Sequence, residues 1–571
     1  MMESRKVFLR SKVLRVINTI EENNLYIHSR RLEVKTVDGT IKLPLVSTLC
    51  VLNSLVPRSA MLLSGGYGGG KTSIVTLLGR MLTSQPLKKI QEGILRGHPN
   101  LTEEKMIATL EPGPLLNRGE QIVAWRDFVK VKWKIVDEVN RLSEYNQNIL
   151  LSLLAEGRIK YYDQVYDAED FTLYATLNPG GTGTFKLGIP FLDRFALSLP
   201  ITSPTLSDNE IIIQGQDEKL FGYDEMYQVP AVVTFSELNE IKLMVEKIPI
   251  TGIAEQFIHA LIRETTICIR AEKTLVYETV GREIGGRMCD SCHWNVQKSI
   301  CNKIITPLST RALKDLKRFA KALAWLCDSK ETDLNHVIAL TPYVIAHRAL
   351  FVEKELDDTP YWGDKHAFAN WLVEQAYTNF ITRKSINQIL QNFIQGLGTA
   401  VMLKTLEQKA RVDLLTAQDI LPTCSEMNSD EYKGLVKNLR KALDKRDITS
   451  IQSIKNDLLT RPDFPQRPRF LQQISDFIYD FDPNFFKLTL DQWKNLLPNI
   501  VAEFPGLNDH LLETTDPPCR KLIRTESMQL EILVDDAKDN YEGNEGDSYV
   551  YVTVSGSKDA STVKNLLGIT R

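Results

Sequence analysis

Apolar residues recur along this chain with the two periods that mark strands and helices. Residues 60–64 (AMLLS) form a continuous apolar run, the pattern of a short buried strand. Residues 73–82 (SIVTLLGRML) place Ile74, Leu77, Leu78 and Met81 at helical spacing. A glycine-rich stretch separates the two. Residues 133–136 then read as β-rich, 144–155 as a helix, and 157–162 and 170–176 as strands. Ahead of this succession, residues 1–43 predict a helix and a strand. From residue 356 the pattern turns helical, over 365–380, 385–400, 431–443, 448–459, 470–479 and 484–504, the last interrupted by Pro498. The tail changes again. Residues 529–534 and 549–554 show partial period-2 alternation around an acidic, glycine-containing stretch, which predicts a β-hairpin.

Length and composition bound the rest. At 571 residues the chain has room for about three domains. No apolar run reaches the ~18 residues of a membrane span, and none follows the opening charges MMESRKVFLRSK as in a signal peptide. The expectation is a cytoplasmic protein with no membrane partner. A net charge of −3 gives no whole-chain bias toward nucleic acid.

The glycine-rich stretch carries the chemistry. Gly65, Gly66, Tyr67, Gly68, Gly69, Gly70, Lys71 and Thr72 fit G-x-x-x-x-G-K-[ST], between a strand and a helix. Glycines let backbone N–H groups curl round phosphates, and the helix N-terminus adds positive potential. Lys71 would reach the β- and γ-phosphates, and the Thr72 hydroxyl would meet Mg²⁺. About 65 residues on, a β-rich segment ends in Asp137-Glu138. Hydrolysis needs one carboxylate for the metal and one for the water, and this pair supplies both. A later strand runs into Asn178-Pro179, where the asparagine could hold the attacking water; a plain turn residue before proline is the competing reading.

P-loop, Asp-Glu, strand-end Asn and Leu192-Asp193-Arg194-Phe195 follow the order of an AAA+ ATPase core. The chain resembles the MoxR family over about residues 44–355. The resemblance rests on Asp137-Glu138-Val139-Asn140-Arg141 with Gln147-Asn148, Ala175-Thr176-Leu177-Asn178-Pro179, Ser309-Thr310-Arg311-Ala312 and Ala346-His347-Arg348. It implies an α/β P-loop core, a parallel sheet flanked by helices, over 44–245. An α-helical lid would cover 246–355. The resemblance stops there, and the residue pattern by itself predicts a mainly helical interaction region ending in the β-hairpin over 356–571. The resemblance implies ATP and Mg²⁺ as cofactors. Asp137 would be the metal carboxylate, Glu138 the catalytic base, Asn178 sensor 1 and Arg311 sensor 2. Arg194 would be the finger that reaches the γ-phosphate of a neighbouring subunit. The implied assembly is a ring or spiral, six-membered in its usual form. The implied work is chaperone-like remodelling of a protein client, such as a von Willebrand A domain protein on another chain. Ala196 departs from the acidic residue many relatives carry after Phe195. The resemblance also places a helix-2 insert, a β-hairpin, between the P-loop helix and the acidic pair, with 120–125 as one strand.

Eight cysteines are present, and Cys268, Cys289, Cys292 and Cys301 lie close together. In a cytosolic chain such clustering suggests metal before disulfides. The C-x2-C spacing lets one turn offer two thiolates to a structural Zn²⁺. Cys301 would be the third ligand, and Cys268 the fourth in preference to His293 or His259. Cys289-x2-Cys292-His293 also matches haem attachment, which an ATPase core argues against. Ordinary core cysteines are the plain alternative.

Two other function classes fit parts of the pattern. One is a nucleic-acid-associated motor, which near-neutral charge and the lack of a recognisable binding module disfavour. The other is a non-hydrolysing, nucleotide-gated scaffold, for which Glu138 and Arg194 would be superfluous.

Overall fold

The structure is a computed structural model. It describes residues 2–571 apart from 37–38, 114–116, 118–120, 169, 179, 181–182, 214–228, 267–299, 359, 482–484, 505–510, 512–513, 515–518, 525–527, 535–548, 557–562, 564–566 and 568–571. The chain forms two compact units, Met1–Lys384 and Ser385–Arg571.

The first unit opens with the helix Met2–Glu22. Its Leu9, Val13, Val16, Ile17 and Ile20 are buried at helical spacing, and Lys12 pairs with Glu237 at 2.7 Å. A hairpin follows, β1 (Arg31–Thr36) with β2 (Gly39–Pro44), and then the buried helix Leu45–Ser54. Next come β3 (Ser59–Gly65), the helix Lys71–Thr83 and β4 (Ile94–Arg96). A second hairpin joins β5 (Ala108–Leu110) to β6 (Val123–Trp125), so an antiparallel insert does precede the acidic pair. β7 (Trp133–Asp137) leads to the helix Glu144–Glu156, whose Ser143 accepts a capping bond from Asn146 N. A third hairpin, β8 (Arg158–Tyr161) with β9 (Gln164–Asp167), precedes β10 (Thr172–Leu177) and β11 (Leu197–Ile201).

The central sheet has the order β11-β3-β10-β7-β4, and every pairing in it is parallel. Its strands are near-continuous apolar runs because helices cover both faces. The period of two shows in the packing. Met61 and Leu63 of β3 face one cluster, with Leu78 of the helix Lys71–Thr83. Ala60 and Leu62 face the other, with Leu150 and Leu153 of the helix Glu144–Glu156. β3 and β4 are consecutive in the chain yet lie at different places in the sheet, with β10 and β7 between them. Crevices at the carboxyl ends of strands beside such a crossover are where open α/β sheets bind ligands. The P-loop starts at the carboxyl end of β3, Asp137 ends β7, and Asn178 follows β10.

The helix Phe235–Glu246 leads into residues 246–355, the expected lid, whose described part holds the helices Gly252–Thr266, Thr310–Leu326 and Leu334–Ile345 and the small pair β12 (Ile304–Thr306) with β13 (Leu350–Phe351). The helix Lys365–Thr382 belongs to the same unit, and its Phe368, Leu372 and Phe380 join the lid's core.

In the second unit, Ile448–Leu459 matches the predicted span, and Asp430–Lys445 and Arg467–Phe481 extend theirs. Three expectations need correction. The helix expected over 385–400 is two helices, Lys384–Ile394 and Ala400–Ala410. Gly396 between them takes φ 73°, a left-handed conformation that ends a helix, and Thr399 caps the next. The terminal hairpin is part of a four-stranded antiparallel sheet. β16 (Met528–Val534) and β17 (Tyr549–Gly556) pair as expected, flanked by β14 (Phe485–Thr489) and β15 (Cys519–Arg524). β14 displaces the start of the expected 484–504 helix. Thr489 and Gln492 form a capping box that starts Leu490–Glu503, and that helix runs through Pro498. Among the described residues, no helix is long and apolar enough to cross a membrane.

Candidate nucleotide site

Backbone geometry builds the phosphate loop. Gly65 ends β3 with φ 155°, and a Cβ there would run into the Ile201 carbonyl of β11. Gly70 takes φ 66° immediately before the helix Lys71–Thr83, so the chain turns sharply into the helix N-terminus. Tyr26 supports the loop from the N-terminal segment, donating from its hydroxyl to Gly69 O at 2.9 Å. The Lys71 Nζ donates to Gly65 O at 2.8 Å and Gly66 O at 2.6 Å, folded over its own loop. Burial pushes the Lys71 ammonium down, while Asp137 and Glu138 push it back up.

Thr72 meets Asp137, as a metal site requires. Its Oγ1 donates to Asp137 Oδ1 at 2.7 Å. A hydroxyl and a carboxylate converging from a helix start and a strand end form an all-oxygen donor pair, which suits Mg²⁺. Thr176, fully buried on β10, completes this corner. It donates to Asp137 Oδ1 at 2.6 Å and accepts from Glu138 N at 2.8 Å. Sequence reasoning assigned Thr176 no role. The available signal was a hydroxyl two residues before Asn178, on a strand next to the acidic pair's.

Glu138 sits in a left-handed conformation, φ 55° and ψ 54°. Such backbone is uncommon for a side chain of this size and is held here by the Thr176 bond. Both carboxylate oxygens are engaged. Arg141 Nη1 donates to Oε2 at 2.8 Å and Asn178 Nδ2 to Oε1 at 2.9 Å. The Arg141 bond, and after it the Asn178 bond, holds the Glu138 carboxyl below the usual carboxylate range. Asn140 Nδ2 fixes Asn178 in turn, donating to its carbonyl at 2.9 Å. Among the described residues, Asn178 Oδ1 is buried with no hydrogen-bond partner, an acceptor that a water proton could use. The structure thus brings Lys71, Thr72, Asp137, Glu138 and Asn178 into one cluster.

Arg194 and Arg311 meet elsewhere, at Asp193. Arg311 Nη1 lies 3.3 Å from Asp193 Oδ2, and Arg194 Nη1 lies 3.8 Å from the same oxygen. Ser309 Oγ donates to Oδ1 at 2.6 Å. Behind them Arg348, almost wholly buried, pairs with Asp315 and donates through Nη2 to Phe195 O at 2.8 Å. His347 Nε2 donates to the same carbonyl at 2.7 Å. The Ala346-His347-Arg348 motif therefore ties the lid to the segment that carries Arg194.

Cys268, Cys289, Cys292 and His293 lie outside the described residues; Cys301 and His259 lie within them. Among the described residues, no group of three His, Cys, Asp or Glu side chains is placed to hold a metal.

Residues 60–195 match the family described as AAA domain (dynein-related subfamily). These residues are an AAA domain. The AAA domain makes the chain an ATPase, and it spans the P-loop, Asp137, Glu138, Asn178 and Arg194. Among solved structures, a candidate ATPase from Cytophaga hutchinsonii is similar, with 20% identity and a TM-score of 0.47 over 66% of this chain and 96% of that one. No curated protein matches the chain.

Proposed function

We propose that this chain is an AAA+ ATPase of MoxR type that hydrolyses MgATP as an oligomer and uses the cycle to remodel a protein partner. The observation that carries the reading is the hydrogen-bonded chain Thr72–Asp137–Thr176–Glu138–Asn178 beside the phosphate loop. A scaffold that only binds nucleotide has no use for a carboxylate positioned so closely.

Each residue then has a task. The loop amides and Lys71 bind the phosphates. Thr72 and Asp137 hold Mg²⁺, which when bound neutralises phosphate charge. Glu138 takes a proton from the attacking water while Asn178 orients that water. Arg141 must leave the Glu138 Oε2 before that carboxylate is free to accept the proton. Arg194 serves a neighbouring subunit, and an arginine supplied in trans is worth ~10³–10⁵ in rate in some phosphoryl-transfer systems. The domain limits 44–245, 246–355 and 356–571, a ring or spiral of subunits, a cytoplasmic setting, and a von Willebrand A domain protein as client belong to the same reading. So does a structural Zn²⁺ on Cys268, Cys289, Cys292 and Cys301.

The test is ATPase activity across the assembly range, with and without DNA, for the wild type and Glu138→Gln. Specific activity should rise with protein concentration, ignore DNA, and fall at least ~10²-fold in Glu138→Gln with ATP binding retained. Flat specific activity in a monomer would sink the trans finger. Strong stimulation by DNA would favour the nucleic-acid motor. The Glu138→Gln protein is also the trap for clients.

A further inference from the structure

Asp193 is one carboxylate, about one-tenth exposed, facing more cations than it can neutralise. Its Oδ2 lies 3.3 Å from Arg311 and 3.8 Å from Arg194. Its Oδ1 takes the Ser309 hydroxyl at 2.6 Å and lies 3.8 Å from Arg348 Nε. Arg348 has its own carboxylate in Asp315, so its claim on Asp193 is secondary. Arg311 is the nearest of the three, and Arg194, at the same distance as Arg348, shares its oxygen. Arg311 comes from the start of the lid helix Thr310–Leu326, and Arg194 from the loop ahead of β11. Arg194 exposes only 17% of its side chain, little for a group that must reach another subunit.

We infer that Asp193 couples two nucleotide sites, restraining the finger Arg194 according to whether the same chain's lid arginine Arg311 is engaged elsewhere. This rests on the roles of Arg194 and Arg311 proposed above. With the site empty, Arg311 shares the carboxylate and weakens its hold on Arg194. When the lid brings Arg311 to its own nucleotide, the Arg311–Asp193 pair breaks. With Arg348 matched by Asp315, a larger share of the Asp193 charge then falls to Arg194, in a poorly solvated corner where Coulomb attraction is strong. A subunit closed on ATP therefore withholds its finger, and one with an empty site offers it. Asp193 is a positioning residue in this scheme, a two-way element that both sites bias.

Mixed assemblies test this. The acceptor subunit carries Arg194→Ala and keeps Glu138, so it hydrolyses only with a donated finger. One donor carries Glu138→Gln and is trapped with ATP. The other carries Lys71→Ala and stays empty. The empty donor should support severalfold more acceptor turnover than the trapped donor. Adding Asp193→Asn to both donors should abolish the difference, because Asn keeps an acceptor for Ser309 but loses the charge. Adding Ser309→Ala should preserve it. Equal turnover with the two original donors overturns the inference, and that result does not depend on whether Asp193→Asn folds. A difference that survives in folded Asp193→Asn donors overturns it as well. No turnover with either donor, in assemblies shown to form, overturns the trans-finger reading itself and the inference with it.

Discussion

Thr176→Val should uncouple the catalytic carboxylate from its support while leaving the shape of β10 unchanged. Valine matches threonine in volume but lacks the hydroxyl. That hydroxyl is fully buried, gives its proton to Asp137 Oδ1 at 2.6 Å and receives the Glu138 amide at 2.8 Å. The variant leaves the Glu138 N–H facing two methyl groups. An unpaired buried donor costs about 1–3 kcal/mol. Asp137 keeps Thr72, so its loss is smaller. The cost falls on one amide, which makes hydrogen exchange the direct assay. Opening at Glu138 should become easier by the same amount, roughly 5- to 150-fold faster exchange at ~1.36 kcal/mol per decade. Released from its left-handed conformation, Glu138 should also lose its aim. We expect kcat to fall about 10-fold or more with nucleotide affinity nearly unchanged, since the phosphate loop is untouched. Thr176→Ser should restore both. Wild-type exchange at Glu138 together with wild-type kcat in Thr176→Val would falsify the anchoring role.

That Lys71, Thr72, Asp137, Glu138 and Asn178 would group together was largely legible because the motifs that carry them are local. A P-loop needs a fixed run of residues, and Asp137-Glu138 stands at a strand end visible in the apolar pattern. The contacts that were not legible are those between distant segments. Tyr26 reaches Gly69 from 43 positions away, and no period in the sequence announces it. Arg348 is buried against Phe195 from the far end of the lid, and its role depends on how two elements dock. Asp193 was read only as part of the finger motif; Arg194 is its chain neighbour, but Arg311 and Arg348 reach it through tertiary packing alone. The terminal sheet failed to show for a different reason. β14 has five residues and abuts a helix, so the helical spacing that follows masked its alternation. β16 and β17, whose partial period of two is not overlaid by a helical one, were found.

Three further outcomes follow from particular contacts. Arg141→Gln removes the leading cause of the lowered Glu138 carboxyl, so that group should rise toward its ordinary range. The acid limb of the kcat–pH profile should then move to higher pH, and an unmoved limb would show that Arg141 does not govern Glu138. For the cysteine cluster, elemental analysis should find about one Zn²⁺ per chain, and chelation should lower ATPase activity before it abolishes nucleotide binding; metal-free protein with full activity rules zinc out. The last outcome concerns Lys134, buried in β7 beside the site with no carboxylate partner in its hydrogen bonds. Its Nζ donates to the carbonyls of Phe128, Val129 and Val131 at 2.6–2.7 Å, and burial pushes it down to about 7. An unfolded lysine titrates near 10.4. Between those values the unfolded chain binds more protons than the folded one, so stability must rise with pH. The contribution is complete above the unfolded value and is lost as pH falls through about 7. Lys134→Met abolishes this slope and strands three carbonyls, so it should be less stable throughout and flatter with pH. Other groups titrate in the same window, but they do so in both proteins and cancel in the difference. Denaturation of the first unit's core at pH 6.5 and pH 9, compared between the two, isolates Lys134. If the variant gains as much stability over that interval as the wild type, the lysine is charged in the fold at both pH values, and its three carbonyl bonds outweigh its burial.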